Sequence, residues 1–248
     1  MRYALLLSYD GTNYGGWQIQ KNAVTVQQKL AEALEDALGY KVTVTASGRT
    51  DSGVHARAQV CHFDAQTSIP AEKIADALNA RLPEDISVLQ TVVAPDDFDA
   101  QSSAKRKTYC YRFYVSERRH PLDDKYAVQV KHKVDFNKLE YCAKLFEGEH
   151  DFKAYCASGS QVKTTVRTIY DIRVEKEGCN FAISVTGNGF LYNMVRTLVG
   201  TMIYYALGRL TEADIVRTLE QGDRNTVGKT MPAKGLTLES VEYGIKLF

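Results

Sequence analysis

Cysteine is scarce and scattered in this chain of 248 residues. Cys61, Cys110, Cys142, Cys156 and Cys179 form an odd set with no Cys-x-x-Cys spacing. That pattern argues against a zinc knuckle or a disulfide frame and for reduced thiols in the cytoplasm. No apolar run reaches the roughly 18 residues of a membrane span. The opening Met1-Arg2-Tyr3-Ala4-Leu5-Leu6-Leu7 is too short for a signal peptide and lacks a small-residue cleavage site, so it reads as a buried strand. The sequence contains no Gly-x-x-x-x-Gly-Lys loop, no Gly-x-Gly-x-x-Gly ahead of a helix and no Gly-x-Ser-x-Gly elbow. The histidines at 55, 62, 120, 132 and 150 show no metal spacing. A large excess of one charge is missing too, since the net charge is only +1.

Several chemistries fall away with these absences. Asp10-Gly11-Thr12 after a strand has the look of an aspartate phosphatase, but the first aspartate of that pattern is Ser8 here. What is present is an ordinary globular composition, 44% hydrophobic and 25% charged. Charge is uneven along it. From Ala104 to Lys133 there are nine Lys/Arg and three acids, interleaved with Tyr109, Tyr111, Phe113 and Tyr114. Cations meet phosphates and aromatic rings stack on bases, so Lys105, Arg106 and Lys107 are candidates for RNA contact. A strand edge guarded by lysines would look the same.

Periodicity predicts strands over 2–9, 86–93, 109–115, 164–175, 181–186 and 236–245. It predicts helices over 26–38, 71–82, 136–146, 190–207 and 211–221. Short turns between neighbouring strands predict largely antiparallel, mixed sheets in an α+β chain. Pro95–Ala100 reads as a connector, which divides the chain into halves of 1–100 and 101–248. Between apolar runs at 41–45 and 54–63 lies Ser47-Gly48-Arg49-Thr50-Asp51-Ser52-Gly53-Val54-His55-Ala56. This reads as strand, tight loop, strand, with one carboxylate presented at a fixed point. An ordinary polar hairpin would show the same letters. On the helix at 190–207, Arg196 lies on the shoulder of an apolar stripe, where a half-buried guanidinium needs an anion. An Asp51–Arg196 pair would keep the aspartate ionised, as a carboxylate nucleophile requires.

These residues also resemble a family. Tyr9-Asp10-Gly11-Thr12, Gly16-Trp17-Gln18-Ile19-Gln20, Thr25-Val26-Gln27, the Gly48–Ala56 loop, Leu78-Asn79-Ala80-Arg81-Leu82-Pro83, Lys107-Thr108-Tyr109-Cys110-Tyr111, Gly187-Asn188-Gly189-Phe190-Leu191-Tyr192-Asn193-Met194-Val195-Arg196 and Pro232-Ala233-Lys234-Gly235-Leu236 are similar, in order, to motifs of the tRNA pseudouridine synthase A family. The resemblance implies two similar α/β halves around a central active-site cleft, the pseudouridine synthase fold. It implies that uridine is isomerised to pseudouridine at positions 38 to 40 of the tRNA anticodon stem-loop, with no metal and no cofactor. Asp51 is then the nucleophile, attacking the sugar C1′ or the base C6. Tyr109 stacks on the target base and can assist proton removal, Arg196 is the basic partner, and Arg49 fills the gap left by the flipped nucleotide. The resemblance further implies a homodimer with tRNA lying across both subunits. Gln101 stands where an arginine is expected, Met231 where an alanine is, and Thr237 where a tyrosine is. Those departures keep two alternatives in view: the same chemistry on another RNA, and a catalytically silent RNA-binding protein.

Overall fold

The computed structural model describes residues 1–159 and 162–248. It forms two compact units, one of Met1–Lys107 with Thr237–Phe248 and one of Thr108–Leu236. This differs from the division expected at residue 100. The units part inside a continuous strand, where no break in composition marks the place, and the last strand returns to the first unit.

The first unit contains strands β1 (Arg2–Tyr9), β2 (Thr45–Ala46), β3 (His55–Asp64) and β4 (Ile86–Ala94), with helices α1 (Val26–Leu38) and α2 (Ala71–Asn79). Strand β5 (Ala104–Val115) leads out of it, and β10 (Leu236–Tyr243) closes it. Its sheet runs β4-β1-β3-β10, with β2 on β3. β1 lies antiparallel to β3 and β4, whereas β10 runs parallel to β3. The expected strand over 41–45 shrinks to Thr45–Ala46, paired with His62 and Cys61. Just before it, the Val44 carbonyl accepts from the Gln27 side-chain amide at 3.0 Å instead of from a neighbouring strand.

β3 explains why Phe63 falls out of phase with Val54, Ala56 and Val60. From Gln59 to Phe63 every residue is buried, so both faces of the strand are covered. On one face Ala4, Val60, Ala94, Phe98 and Ala100 cluster, with Val241, Tyr243 and Phe248 packed against them. Elsewhere in the unit, α1 buries Val26, Leu30, Ala33 and Leu34, and α2 buries Ile74 and Leu78. Thr25 caps α1 by accepting from the Gln28 amide, and Gly39 ends it in the left-handed region. α2 stops three residues short of its expected end at Leu82. Leu82 precedes Pro83, which disfavours helical geometry there. Asn79 at the helix end reaches across and bonds both the amide and the carbonyl of Val88.

The second unit takes β5 onward with β6 (Val128–Val130), β7 (Gly148–Asp151), β8 (Val166–Glu177) and β9 (Asn180–Gly187). Its helices are α3 (Phe136–Lys144), α4 (Met194–Ala206) and α5 (Glu212–Gln221). The sheet runs β5-β9-β8-β7, with β6 parallel to β5. β8 and β9 form the expected hairpin, turning through Gly178. Asp135 caps α3, and Thr211 with Asp214 makes a capping box on α5. The combination of mixed sheets and five helices is α+β, as expected, and the pairing is largely antiparallel. Among the described residues, no helix is long and apolar enough to cross a membrane.

His62 is a buried polar group with a defined task. Its Nδ1 accepts the Ala100 amide at 3.1 Å, which requires that nitrogen to be unprotonated. Burial, and after it the charge of Arg2, lowers its pKa; the carboxylates of Asp99 and Asp64 oppose this. As pH falls below about 6.5, the unfolded chain takes up a proton that the folded chain resists, so stability falls with it. Losses below about pH 4 belong to carboxylates such as Asp64 and Asp99, whose pKa values are lowered by Arg2 and by Ser102 respectively. Thermal melts between pH 7.5 and 5 should therefore show a falling midpoint. His62→Gln, which can still accept a hydrogen bond, should flatten that dependence in this window.

Candidate active site

The loop at 47–56 is polar, and its backbone is tied at both ends and in the middle. At its start the Ser47 amide donates to the Val60 carbonyl at 2.7 Å. The buried Gln59 side chain accepts from Ser47 Oγ at 2.5 Å and donates to the Gly48 carbonyl at 2.9 Å. Lys107 Nζ donates to the Ser47 carbonyl at 2.5 Å. In the middle, Trp17 N–H donates to the Thr50 carbonyl at 3.0 Å. Thr50 Oγ1 and the Tyr9 hydroxyl are 2.8 Å apart. Burial pushes the Tyr9 hydroxyl pKa up, so it serves as a neutral partner. On the far side, the Tyr14 carbonyl accepts from Gly53 N at 3.3 Å and from Ser52 Oγ at 3.2 Å. Val54 N–H closes the turn on the Asp51 carbonyl at 3.1 Å.

Asp51 is thus half-buried, with both neighbours fixed by the Tyr14–Trp17 segment. That segment approaches so closely that only glycine fits at position 16. Gly16 has φ 93°, and a Cβ there would lie 2.6 Å from the Thr50 carbonyl oxygen. Tyr14 is itself anchored through its hydroxyl to the Asp85 carboxylate. His55, at the loop's exit, accepts the Gly11 amide at Nδ1 at 3.0 Å, with the Asp10 carboxylate 3.1 Å away.

Of the candidates in this unit, Arg49 and Asp51 share the loop, and Arg49 is exposed. Lys105 and Arg106 are exposed at the start of β5. Lys107 is different: its ammonium is directed at the loop backbone. The basic run therefore does two jobs that its letters do not separate. Sequence pattern gives no role to Gln59 or Tyr14, and Tyr9 enters it only within the Tyr9–Thr12 motif. The available signal for Gln59 was a polar residue at a core position of β3.

In the second unit, Tyr109 is buried on β5, and its ring meets Phe190 edge-on with centroids 5.3 Å apart. Arg196 lies in the first turn of α4, which begins at Met194 and not, as expected, at Phe190. The delay comes from Asn193, whose φ of 61° breaks helical geometry. Asn193 Oδ1 accepts from the Arg196 guanidinium at 2.7 Å. Arg196 Nε donates to the Met231 carbonyl at 2.7 Å, and Met231 N–H donates back to the Arg196 carbonyl at 3.2 Å. Two faces of the guanidinium are thereby fixed by the protein.

The segment carrying Met231 lies flat on α4. A Cβ on Gly200 would fall 1.9 Å from the Lys229 carbonyl oxygen, and one on Gly228 would fall 2.5 Å from the Gly200 carbonyl. Thr197 and Thr230 hydroxyls meet at 3.0 Å, and Thr201 Oγ1 accepts the Gly228 amide at 2.9 Å. Local periodicity does not reveal this strap. Its trace in the sequence is Gly200 inside a strong helix, where glycine is costly unless a backbone must come close. Nearby, Tyr111 donates to the Pro232 carbonyl at 2.8 Å. Burial pushes its pKa up, and the Arg196 charge pulls the other way.

A family model described as tRNA pseudouridine synthase matches residues 6–101 and 142–244. The chain is similar to the tRNA pseudouridine synthase A of Ruminiclostridium cellulolyticum, 45% identical over 96% of this chain and 98% of that protein. It is similar to the protein of the same name from Thermoanaerobacter sp. (strain X514), 43% identical over 96% of this chain and 98% of that one. A third, from Caldicellulosiruptor bescii, is 42% identical over 98% of this chain and 100% of that one. Among solved structures, a chain of a Cbf5-Nop10-Gar1 complex is similar at 15% identity and a TM-score of 0.43. That match covers 95% of this chain and 48% of the other, so this chain spans about half its length.

Gly16→Ala tests the loop's dependence on the Tyr14–Trp17 segment. Strained φ and the clash with Thr50 should cost roughly 1–3 kcal/mol of stability, read by urea unfolding. Unchanged stability would show that the loop does not need this close approach.

Proposed function

The chain belongs to the tRNA pseudouridine synthase family, and from that premise we propose that it isomerises uridine to pseudouridine in the anticodon stem-loop of tRNA, at positions 38 to 40, with Asp51 as nucleophile. The observation that carries the assignment of Asp51 is its loop: a carboxylate whose flanking residues are each bonded to a second backbone segment. A nucleophile held this way loses little orientational freedom on meeting its target. The carboxylate attacks at the sugar C1′ or the base C6, and the glycosidic bond breaks. The uracil turns, C5 joins the sugar, the bond to the carboxylate breaks and frees Asp51, and the proton on C5 is given up while N1 regains one. The product has the same atoms as the substrate, so the overall reaction needs no co-reactant.

A stacked base hides these atoms, so the nucleotide must leave the helix, at a cost of a few kcal/mol. Arg49, exposed two residues before Asp51, takes the vacated place, where its plane can stack and its charge can meet phosphate. Tyr109 stacks on the target base. Arg196 supplies the cation that favours the ionised nucleophile. Lys105 and Arg106 contact the RNA backbone, and Lys107 acts through the loop it bonds. The enzyme works as a homodimer with tRNA lying across both subunits, in the cytoplasm. Support for that compartment is the set of five free cysteines, four of them buried.

Asp51→Ala should abolish pseudouridine formation while leaving tRNA affinity nearly intact; conversion by that variant would reject the nucleophile. Mapping pseudouridine in tRNA from cells lacking the protein should show loss in the anticodon arm. Loss only elsewhere would mean the same chemistry on another RNA. Arg196→Lys keeps the charge but cannot reproduce both the Met231 and Asn193 bonds. Its kcat/KM should fall nearly as far as that of Arg196→Ala, and a near-wild-type lysine variant would show that charge alone suffices.

A further inference from the structure

Beside the Asp51 loop, within the first unit, is a half-open cavity of about 230 Å³. Trp17 and Val44 are buried in its wall, and Gly48 and Arg49 bring the loop itself to its rim. Three exposed side chains, Gln18, Arg49 and Gln101, converge on it. None of the three has a side-chain partner among the described residues. We propose that this cavity is a second nucleotide subsite, which receives the base of a residue flanking the target uridine once that uridine has left the stack. The proposal rests on the reading of the chain as an enzyme acting on tRNA.

The chemistry of the lining selects a base. The cavity is smaller than the roughly 300–1,000 Å³ of sites for drug-sized ligands, so it suits one planar heterocycle and not a whole nucleoside with its backbone. A guanidinium offers a plane for stacking, and two primary amides offer paired donors and acceptors for a base edge. No carboxylate lines the cavity, so nothing there repels an approaching phosphate chain.

The frame is built in advance. Gln101 rides on a turn fixed by Asp99, whose Oδ1 accepts from Gln101 N at 2.9 Å, Ser102 N at 2.7 Å and Ser102 Oγ at 3.0 Å. Ala100, next to it, is held through its amide by His62 at 3.1 Å and through its carbonyl by the Tyr243 hydroxyl at 2.8 Å. On the opposite wall Gln27 accepts the Ile19 amide and donates to the Val44 carbonyl, both at 3.0 Å. Rigid walls with unengaged polar tips are what a preorganised recognition site needs. The position of Arg49, at once beside the nucleophile and at the rim of the cavity, would let one residue separate the two bases.

The test is an abasic scan. Each nucleotide within two positions of the target uridine is replaced in turn by an abasic residue in the anticodon stem-loop RNA, and Kd is measured at fixed salt. With the wild-type protein one flanking position should weaken binding by about fivefold or more. With Gln18→Ala/Gln101→Ala the intact RNA should bind more weakly, and the same abasic change should have little further effect. Both positions are exposed, so the variant should fold, and circular dichroism checks this. A flat scan with the wild type would overturn the proposal, because an abasic residue keeps its phosphate; a cavity that held only backbone would give that result. An undiminished abasic penalty in the double variant would overturn it equally. A wild-type protein that fails to convert the intact RNA defeats the enzymatic reading, and this inference with it.

Discussion

A carboxylate on a polar loop is only as well placed as the carbonyls around it. Thr50 presents its carbonyl to the Trp17 amide, and Ser52 and Gly53 both donate to the carbonyl of Tyr14. Those few bonds between two irregular segments hold Asp51, and most of the first unit is arranged so that they can form. Gly16 permits the approach, Tyr9 and Gln59 supply polar groups from the core strands, and Asp85 anchors the ring of Tyr14. Tyr9, Tyr14, Trp17, Thr50 and Gln59 are buried and hydrogen-bonded, so exchanging their partners for water on local opening is unfavourable. Rigidity here is a property of a hydrogen-bond network to which the loop's own Ser47, Thr50 and Ser52 hydroxyls contribute.

The second unit solves a related problem by other means. A guanidinium on a helix has many rotamers, and here it is restrained by a side chain one turn before it and by a backbone carbonyl from a distant segment. The small residues Gly200 and Gly228 let that segment lie on the helix, and the threonines rivet it there. Asn193 adopts a left-handed conformation that costs of order 1–3 kcal/mol, offset by the interactions its side chain makes.

The contrast between the units bears on what a sequence makes legible. α1 was readable to the residue, because Thr25 and Gly39 are strong local signals at its ends. The Asp51 loop is readable as a loop, and its carboxylate stands out as the one acid framed by Gly48 and Gly53. The start of α4 lies later than the sequence predicts, since Phe190 to Tyr192 continue the apolar pattern and only the backbone of Asn193 reveals the break. The two-residue β2 was overestimated because alternation at 41–44 cannot show that a side-chain amide has taken the Val44 carbonyl. The strap over α4 and the role of Lys107 depend on long-range approach, for which local pattern has no vocabulary. Family resemblance named Asp51, Tyr109 and Arg196, but it did not say what holds them.

The order in which the chain is made meets a constraint in β10. The second unit is continuous from Thr108 to Leu236, whereas the first is completed only by Thr237–Phe248. During synthesis the N-terminal sheet must therefore wait, one strand short, with the faces of Val60 and Phe98 lacking Val241 and Tyr243, while the whole of the other unit emerges. The Asp51 loop adjoins β3, the strand that β10 completes, so the nascent chain passes through a stage in which that loop is already made but its scaffold is still open.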